Sequence, residues 1–249
     1  MSQNVLVVHG GGPTAVINAS LYGVIEEAKR NPEVGKVYGA IGGTGAIFSE
    51  TFIDLTSFDD EKLKLLLHTP ASAIGSSRYP LYEKDYEKMV DIFKKHDIKY
   101  VLLNGGNGTM DACGHIYEVC KDQDIKVVGI PKTIDNDIAM TDHSPGYGSA
   151  ARFIAASTQE VGEDVKSLPI HVCIMEAMGR NAGWITAASA LARRKQGDAP
   201  HLIYLPERNF NEDEFLEDVS KLQKKQGGVV VLVSEGLHDA NGESIVPPI

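Results

Sequence analysis

The sequence predicts an α/β protein built on parallel sheets covered by helices. Three observations predict it. Stretches rich in Val, Ile and Leu alternate with stretches whose apolar residues recur at helical spacing. The apolar stretches run nearly unbroken, as in strands buried on both faces. Residues of unusual chemistry follow the ends of those stretches, where parallel sheets bind their ligands.

Taken in order, NVLVVH (4–9) reads as a strand, and GGGPT separates it from a helix over 14–30. KVYGAI (36–41) is a second strand. DYEKMVDIFKKH (85–96) is helical because Met89, Ile92 and Phe93 share one face. YVLLN (100–104) and KVVGI (126–130) are strands on either side of a helix, MDACGHIYEVCK (110–121). The pattern then repeats with a helix over 149–166, a strand HVCIME (171–176), a helix over 182–195 and a strand HLIYLP (201–206). DEFLEDVSKLQKKQ (213–226) puts Phe215, Leu216, Val219 and Leu222 on one helical face, and GVVVLVSEG (228–236) is a buried strand. The loop-like TDHSPGYGS divides the chain near 140–150. The expected domains are 1–145 and 146–249.

The 249 residues suffice for one large or two small domains. A formal net charge of −10 argues against nucleic acid as a partner, because backbone phosphates select basic faces. Small phosphorylated ligands need only a few cations focused in a cleft. The apolar runs are too short for a membrane helix. The N-terminus lacks a basic region and a cleavage pattern, so it reads as a first strand rather than a signal peptide. Cys113, Cys120 and Cys173 lack paired or metal-like spacing, as expected of reduced thiols in the cytoplasm.

Two glycine-rich turns follow strands. HGGGPTAVINAS (9–20) contains Gly12. NGGNGTMDA (104–112) contains Gly106, Asn107 and Gly108, with Thr109 as a candidate helix cap. Glycines let backbone N–H groups approach an anion, and a helix N-terminus adds a favourable dipole. Neither turn is a Walker A or a dinucleotide fingerprint. Each alone could be a tight strand–helix turn; two together favour a ligand with several phosphates.

PKTIDND (131–137) sets Lys132 and Thr133 before Asp135 and Asp137. If the segment is extended, the two aspartates face opposite ways. One can then take a proton from an attacking hydroxyl while the other orients a neighbour or a metal-bound water. Lys132 would balance charge on a transferred group. The competing reading is an Asx-rich capping turn. In MEAMGRNAGW (175–184), Glu176 and Arg180 could form a structural ion pair. Alternatively, Gly179 and Arg180 could present backbone and guanidinium to a sugar phosphate. Arg78, in IGSSRYP, is an isolated cation in a Gly/Ser turn, and RRKQGD (193–198) reads as a solvated helix end.

Together, GGPTAVINAS, GSSRYP, GGNGT, PKTIDND, GYGSAARFIA and MGRNAGW resemble, in order, the ATP- and pyrophosphate-dependent phosphofructokinases. The resemblance covers nearly the whole chain. It implies two similar lobes and transfer of a phosphoryl group to the 1-hydroxyl of fructose 6-phosphate, with Mg²⁺. Asp135 would be the general base, Asp137 its partner, and Thr133 a contact to the sugar or the moving group. Gly12, Arg78, Gly106, Asn107, Gly108 and Thr109 would hold the donor. Met178, Gly179, Arg180 and Glu235 would hold the sugar phosphate, with His171 where many relatives have arginine. Metal would lean on Asp137 and weakly on Asn107, which stands where most relatives have aspartate. Lys132 is the pyrophosphate-type residue and Gly108 the ATP-permissive one, and the wording of the motifs favours pyrophosphate. Relatives are homo-oligomers, which implies a dimer or tetramer. They also extend further at the C-terminus, so a C-terminal part is expected to be missing here.

Two rival readings stand beside this one. GGNGT also resembles the GGDGT loop of lipid and NAD kinases, a reading that PKTIDND and MGR oppose. Asn107 and the short C-terminus are compatible with a non-catalytic phosphate-binding domain, which the intact Asp135/Asp137 pair opposes.

Overall fold

The apolar stretches become strands in the computed structural model, which describes residues 3–168 and 171–245. The chain divides into two compact units, Met1–Thr133 and Ile134–Ile249.

The first unit contains β1 (Gln3–Gly10), α1 (Ala15–Arg30), β2 (Val34–Ala40), α2 (Gly45–Phe48), β3 (Phe52–Asp54) and α3 (Asp60–Lys64). It continues with α4 (Glu83–Lys95), β4 (Ile98–Gly105), α5 (Asn107–Cys120) and β5 (Lys126–Pro131). The strand order is β3-β2-β1-β4-β5. The β1–β2, β1–β4 and β4–β5 pairs are parallel, and the edge strand β3 runs antiparallel. That edge strand went unpredicted because three residues are too few to show a period.

The unbroken apolar run of β1 has a direct cause. Successive side chains of a strand point to opposite faces. Leu6 and Val8 enter one core with Met89, Phe93 and Ile116, whereas Val5 and Val7 enter another with Leu21 and Ile25. Burying each such side chain contributes about 1.5–3 kcal/mol. Cover is less complete at β5, where Val128 is 52% exposed, so the expectation of two covered faces fails at that edge.

The second unit contains α6 (Tyr147–Ser167), β6 (Val172–Ala177), α7 (Trp184–Ala188), β7 (Leu202–Tyr204), α8 (Glu212–Gln226) and β8 (Val229–Ser234). The three strands form a parallel sheet of order β6-β8-β7. Val230 and Leu232 of the central strand pack with Ile154, Val165, Ile185 and Ala188. The expected face of α8 is weaker than its spacing suggested: Leu216 is 55% exposed, and no residue of that helix is buried.

Two boundaries differ from expectation. The helix expected over 182–195 is a five-residue α7 followed by a 3₁₀ turn, Ser189–Ala192. RRKQGD is a loop rather than a helix end. The Asp198 carboxylate accepts from the Arg194 and Lys195 N–H groups, both at 3.1 Å, and draws the chain out of the helix. The unit boundary falls after Thr133 rather than near 145. Lys132 N–H donates to Gly105 O at 2.8 Å in the first unit, whereas Ile134 packs against the core of the second.

Candidate active site

Three chain segments leave the first sheet side by side. Gly10 is in register with Gly105, and Gly105 with Pro131. From β1 the chain crosses to β2 on one side, while β4 lies on the other. The β1/β4 boundary is therefore the topological switch point, where ligands bind in such sheets. Both glycine-rich turns start there.

Their glycines are required by close approach. A Cβ on Gly105 would lie 2.5 Å from Gly10 O and 2.4 Å from Thr109 Oγ1. Thr109 is buried against these glycines and lies inside the first turn of α5, whose cap is Gly106. It is therefore not the cap the sequence suggested. By contrast, a Cβ on Gly108 would meet no atom within 4 Å.

The segment before Arg78 is laid along the first glycine turn. Ser76 Oγ donates to Gly11 O at 2.6 Å, and Gly11 N–H donates to Ser77 O at 3.1 Å. Arg78 itself is exposed and forms no ion pair among the described residues. Lys132 is 9% exposed, and its ammonium donates to Gly12 O. A buried cation is thus fixed beside the turn predicted to meet phosphate, where low dielectric strengthens its field.

His9 was not singled out from the sequence, yet it anchors this edge. It is fully buried. Its Nδ1 lies 2.7 Å from Ser72 Oγ, which donates its own proton to Gly75 O at 2.7 Å. Ser72 therefore accepts, and the Nδ1–H tautomer is assigned by that network. Burial lowers the His9 pKa from 6.5 to about 4. Between those values the unfolded chain binds a proton that the folded chain refuses. Stability is therefore full above pH 6.5 and falls as pH drops toward 4, by about 3 kcal/mol from this residue. Urea unfolding from pH 7.5 to 4.5 should show a shallower pH slope in His9→Gln than in the wild type. Equal slopes would remove His9 as the source.

The second unit carries the remaining candidates. The segment 134–136 bends, and Asn136 takes φ 60°, so the extended geometry assumed for Asp135 and Asp137 is not present. Asp135 is half-buried and Asp137 exposed. Ala177 and Ser234 are in register, which brings Met178–Arg180 and Glu235 together beyond β6 and β8. Glu235 Oε1 accepts from the N–H groups of Gly179 and Arg180, both at 3.0 Å. The expected alternative, a Glu176–Arg180 ion pair, does not form among the described residues. Met178 and Arg180 are exposed and point outward from a backbone held by Glu235.

Glu207 was missed. Its Oε1 accepts from Gly183 N–H at 2.7 Å and fixes the other end of the same loop. A signal was present, since Glu207 follows β7 as Glu235 follows β8. His171 is not brought to this group. It precedes β6, while Met178 follows it, and six strand residues separate them by about 20 Å.

No cluster of three or more His, Cys, Asp or Glu residues suited to a metal occurs among the described residues. Cys113 and Cys120 are buried, with the Cys120 thiol pushed up to about 11, the opposite of an activated nucleophile. No helix among the described residues is long and apolar enough to cross a membrane.

Glycine turns at the switch point of a doubly wound parallel sheet define an α/β protein with a ligand crevice at its strand ends. The chain belongs to the phosphofructokinase family, whose pattern matches residues 4–247. It is 44% identical, over 97% of its length, to a pyrophosphate–fructose 6-phosphate 1-phosphotransferase of Rhodospirillum rubrum. It is 30% identical, over 95% of its length, to an ATP-dependent 6-phosphofructokinase of Amycolatopsis methanolica, of which it spans 52%. A pyrophosphate-dependent phosphofructokinase structure from Nitrosospira multiformis matches 98% of this chain with TM-score 0.83 and 38% identity. The chain spans 60% of the Rhodospirillum protein and 63% of the Nitrosospira one.

Proposed function

We propose that this chain carries the donor- and sugar-binding parts of a phosphofructokinase that moves a phosphoryl group from pyrophosphate to the 1-hydroxyl of fructose 6-phosphate, a step of glycolysis. The observation that carries the reading is Lys132, buried at the end of β5 with its ammonium on Gly12 O. It sets one fixed cation at a double glycine turn, three residues before Asp135. In this reading Gly12, Arg78 and residues 106–109 hold the donor. Met178, Gly179, Arg180 and Glu235 hold the sugar phosphate. Asp135 takes the hydroxyl proton, and Thr133 contacts the sugar or the moving group.

Mg²⁺ fits as an ion carried largely by the donor's own oxygens, because Mg²⁺ commonly uses one or two carboxylates plus substrate phosphates. Asp137 would supply the carboxylate and Asn107 a weaker amide oxygen. The metal would neutralise charge on the transferred group. His171, at the far end of β6, would serve a neighbouring subunit of a homo-oligomer.

The more similar relatives named above favour pyrophosphate. A second reading, ATP, is favoured by one observation: the space beside Gly108 is open. Gly108→Asp should therefore be tolerated structurally and weaken ATP selectively. An unchanged ratio of ATP to pyrophosphate activity discards the steric argument. The function itself is tested by fructose 1,6-bisphosphate formation with each donor, using this chain and one extended to its relatives' length. Sugar-phosphate binding without turnover in both would favour a non-catalytic role.

A further inference from the structure

We propose that Asn136 is a positioning residue, whose carboxamide holds the turn that carries Asp135 and Asp137. The inference deepens the phosphoryl-transfer reading and rests on it for its catalytic consequence.

Asp135 lies in a bend, with no strand ladder to hold it. Its two neighbours hold it instead. On one side, Ile134 packs against the core of the second unit. Its Cγ2 lies so close to Gly146 that a Cβ there would come within 2.9 Å. On the other side, Asn136 is 8% exposed, so its side chain is turned inward, away from solvent. Its Oδ1 accepts from Ser144 N–H at 2.8 Å, and its Nδ2 donates to Asp142 O at 3.3 Å. Ser144 is fully buried, which strengthens the first bond and makes its loss costly. The carboxamide thus closes a ring from residue 136 to 144 and stops rotation of the peptide next to Asp135.

The position makes three demands at once. Its φ of 60° lies in the left-handed region, which glycine, asparagine and aspartate enter most readily. It needs an acceptor for Ser144 N–H and a donor for Asp142 O. Glycine meets only the first demand. Aspartate meets the first two and adds a third carboxylate. Asparagine meets all three.

Asn136→Gly separates the hydrogen bonds from the backbone strain, because it keeps the left-handed conformation. In this variant, amide hydrogen exchange at residues 135–137 and at Ser144 should accelerate on the order of tenfold or more. Turnover should fall on the order of 10²-fold, as expected when a reacting group is misplaced by about 1 Å. KM for the sugar and for pyrophosphate should stay within about twofold, and Asn136→Asp should recover part of the turnover. Unchanged exchange at Ser144 overturns the proposal, as does faster exchange with unchanged turnover. A lowered Tm with both KM values raised means general destabilisation and also overturns it. If the wild type moves no phosphoryl group from either donor, the proposed function fails separately. The exchange rates then decide alone: unchanged rates overturn the brace, and faster rates uphold it.

Discussion

Asp135→Asn is expected to lower turnover by about 10²–10⁴-fold, the usual contribution of a positioned general base. Binding of sugar and donor should change far less. The amide has the shape of the carboxylate and can still accept a hydrogen bond, but it cannot take the proton of the attacking hydroxyl. The interaction it removes is made as the proton moves, so the loss belongs in kcat and not in KM. The structure favours a clean result. Asp135 is half-buried, and the residues on both sides are held, Ile134 by the core and Asn136 by two hydrogen bonds. The variant should therefore keep the geometry of the turn. Steady-state kinetics with fructose 6-phosphate and each donor, beside calorimetric binding, checks it. Near-normal turnover would falsify the base role.

What the sequence revealed and what it concealed follow one physical division. Val5 to Val8 announce a strand covered on both faces because the covering is written in four adjacent residues. The glycines at 10, 105 and 106 announce close backbone approach at strand ends for the same local reason. Lys132 and Asp135 were legible as chemistry, since a cation and a carboxylate after an apolar run have few structural uses. Asn136, Glu207 and His9 were not. Each acts through a partner that sequence distance hides: Ser144 for Asn136, Gly183 for Glu207, Ser72 for His9. Helical spacing over 182–195 overstated a helix for a related reason. Periodicity does not register a carboxylate at Asp198 that captures two backbone N–H groups. The position of the unit boundary depended on where Ile134 packs, which no composition shift marks.

Gly236→Ala should damage sugar-phosphate binding while leaving the donor side intact. A Cβ at this position would lie 1.7 Å from Arg180 O, roughly half of a nonbonded contact distance. One of the two segments must move. Gly236 follows β8, whose Val229, Val230, Val231 and Leu232 are fully buried in the centre of their sheet. The strand is the harder to shift, so the loop carrying Met178 and Arg180 gives way. Displacing it breaks the two hydrogen bonds from Gly179 and Arg180 to Glu235. Overpacking of this kind costs about 1–3 kcal/mol. A domain with the usual margin of about 5–15 kcal/mol stays folded. A shift near 1 Å is enough to raise KM for fructose 6-phosphate on the order of 10²-fold. Pyrophosphate binding, assigned to the other unit, should be unchanged. Glu235→Gln gives the complementary result. Its amide oxygen still accepts from the loop, so its loss of affinity should be smaller than that of Gly236→Ala. Equal losses would place the effect in the Glu235 charge rather than in the position of the backbone. Loss of both ligands together with the circular-dichroism signal would mean the strand had yielded instead of the loop.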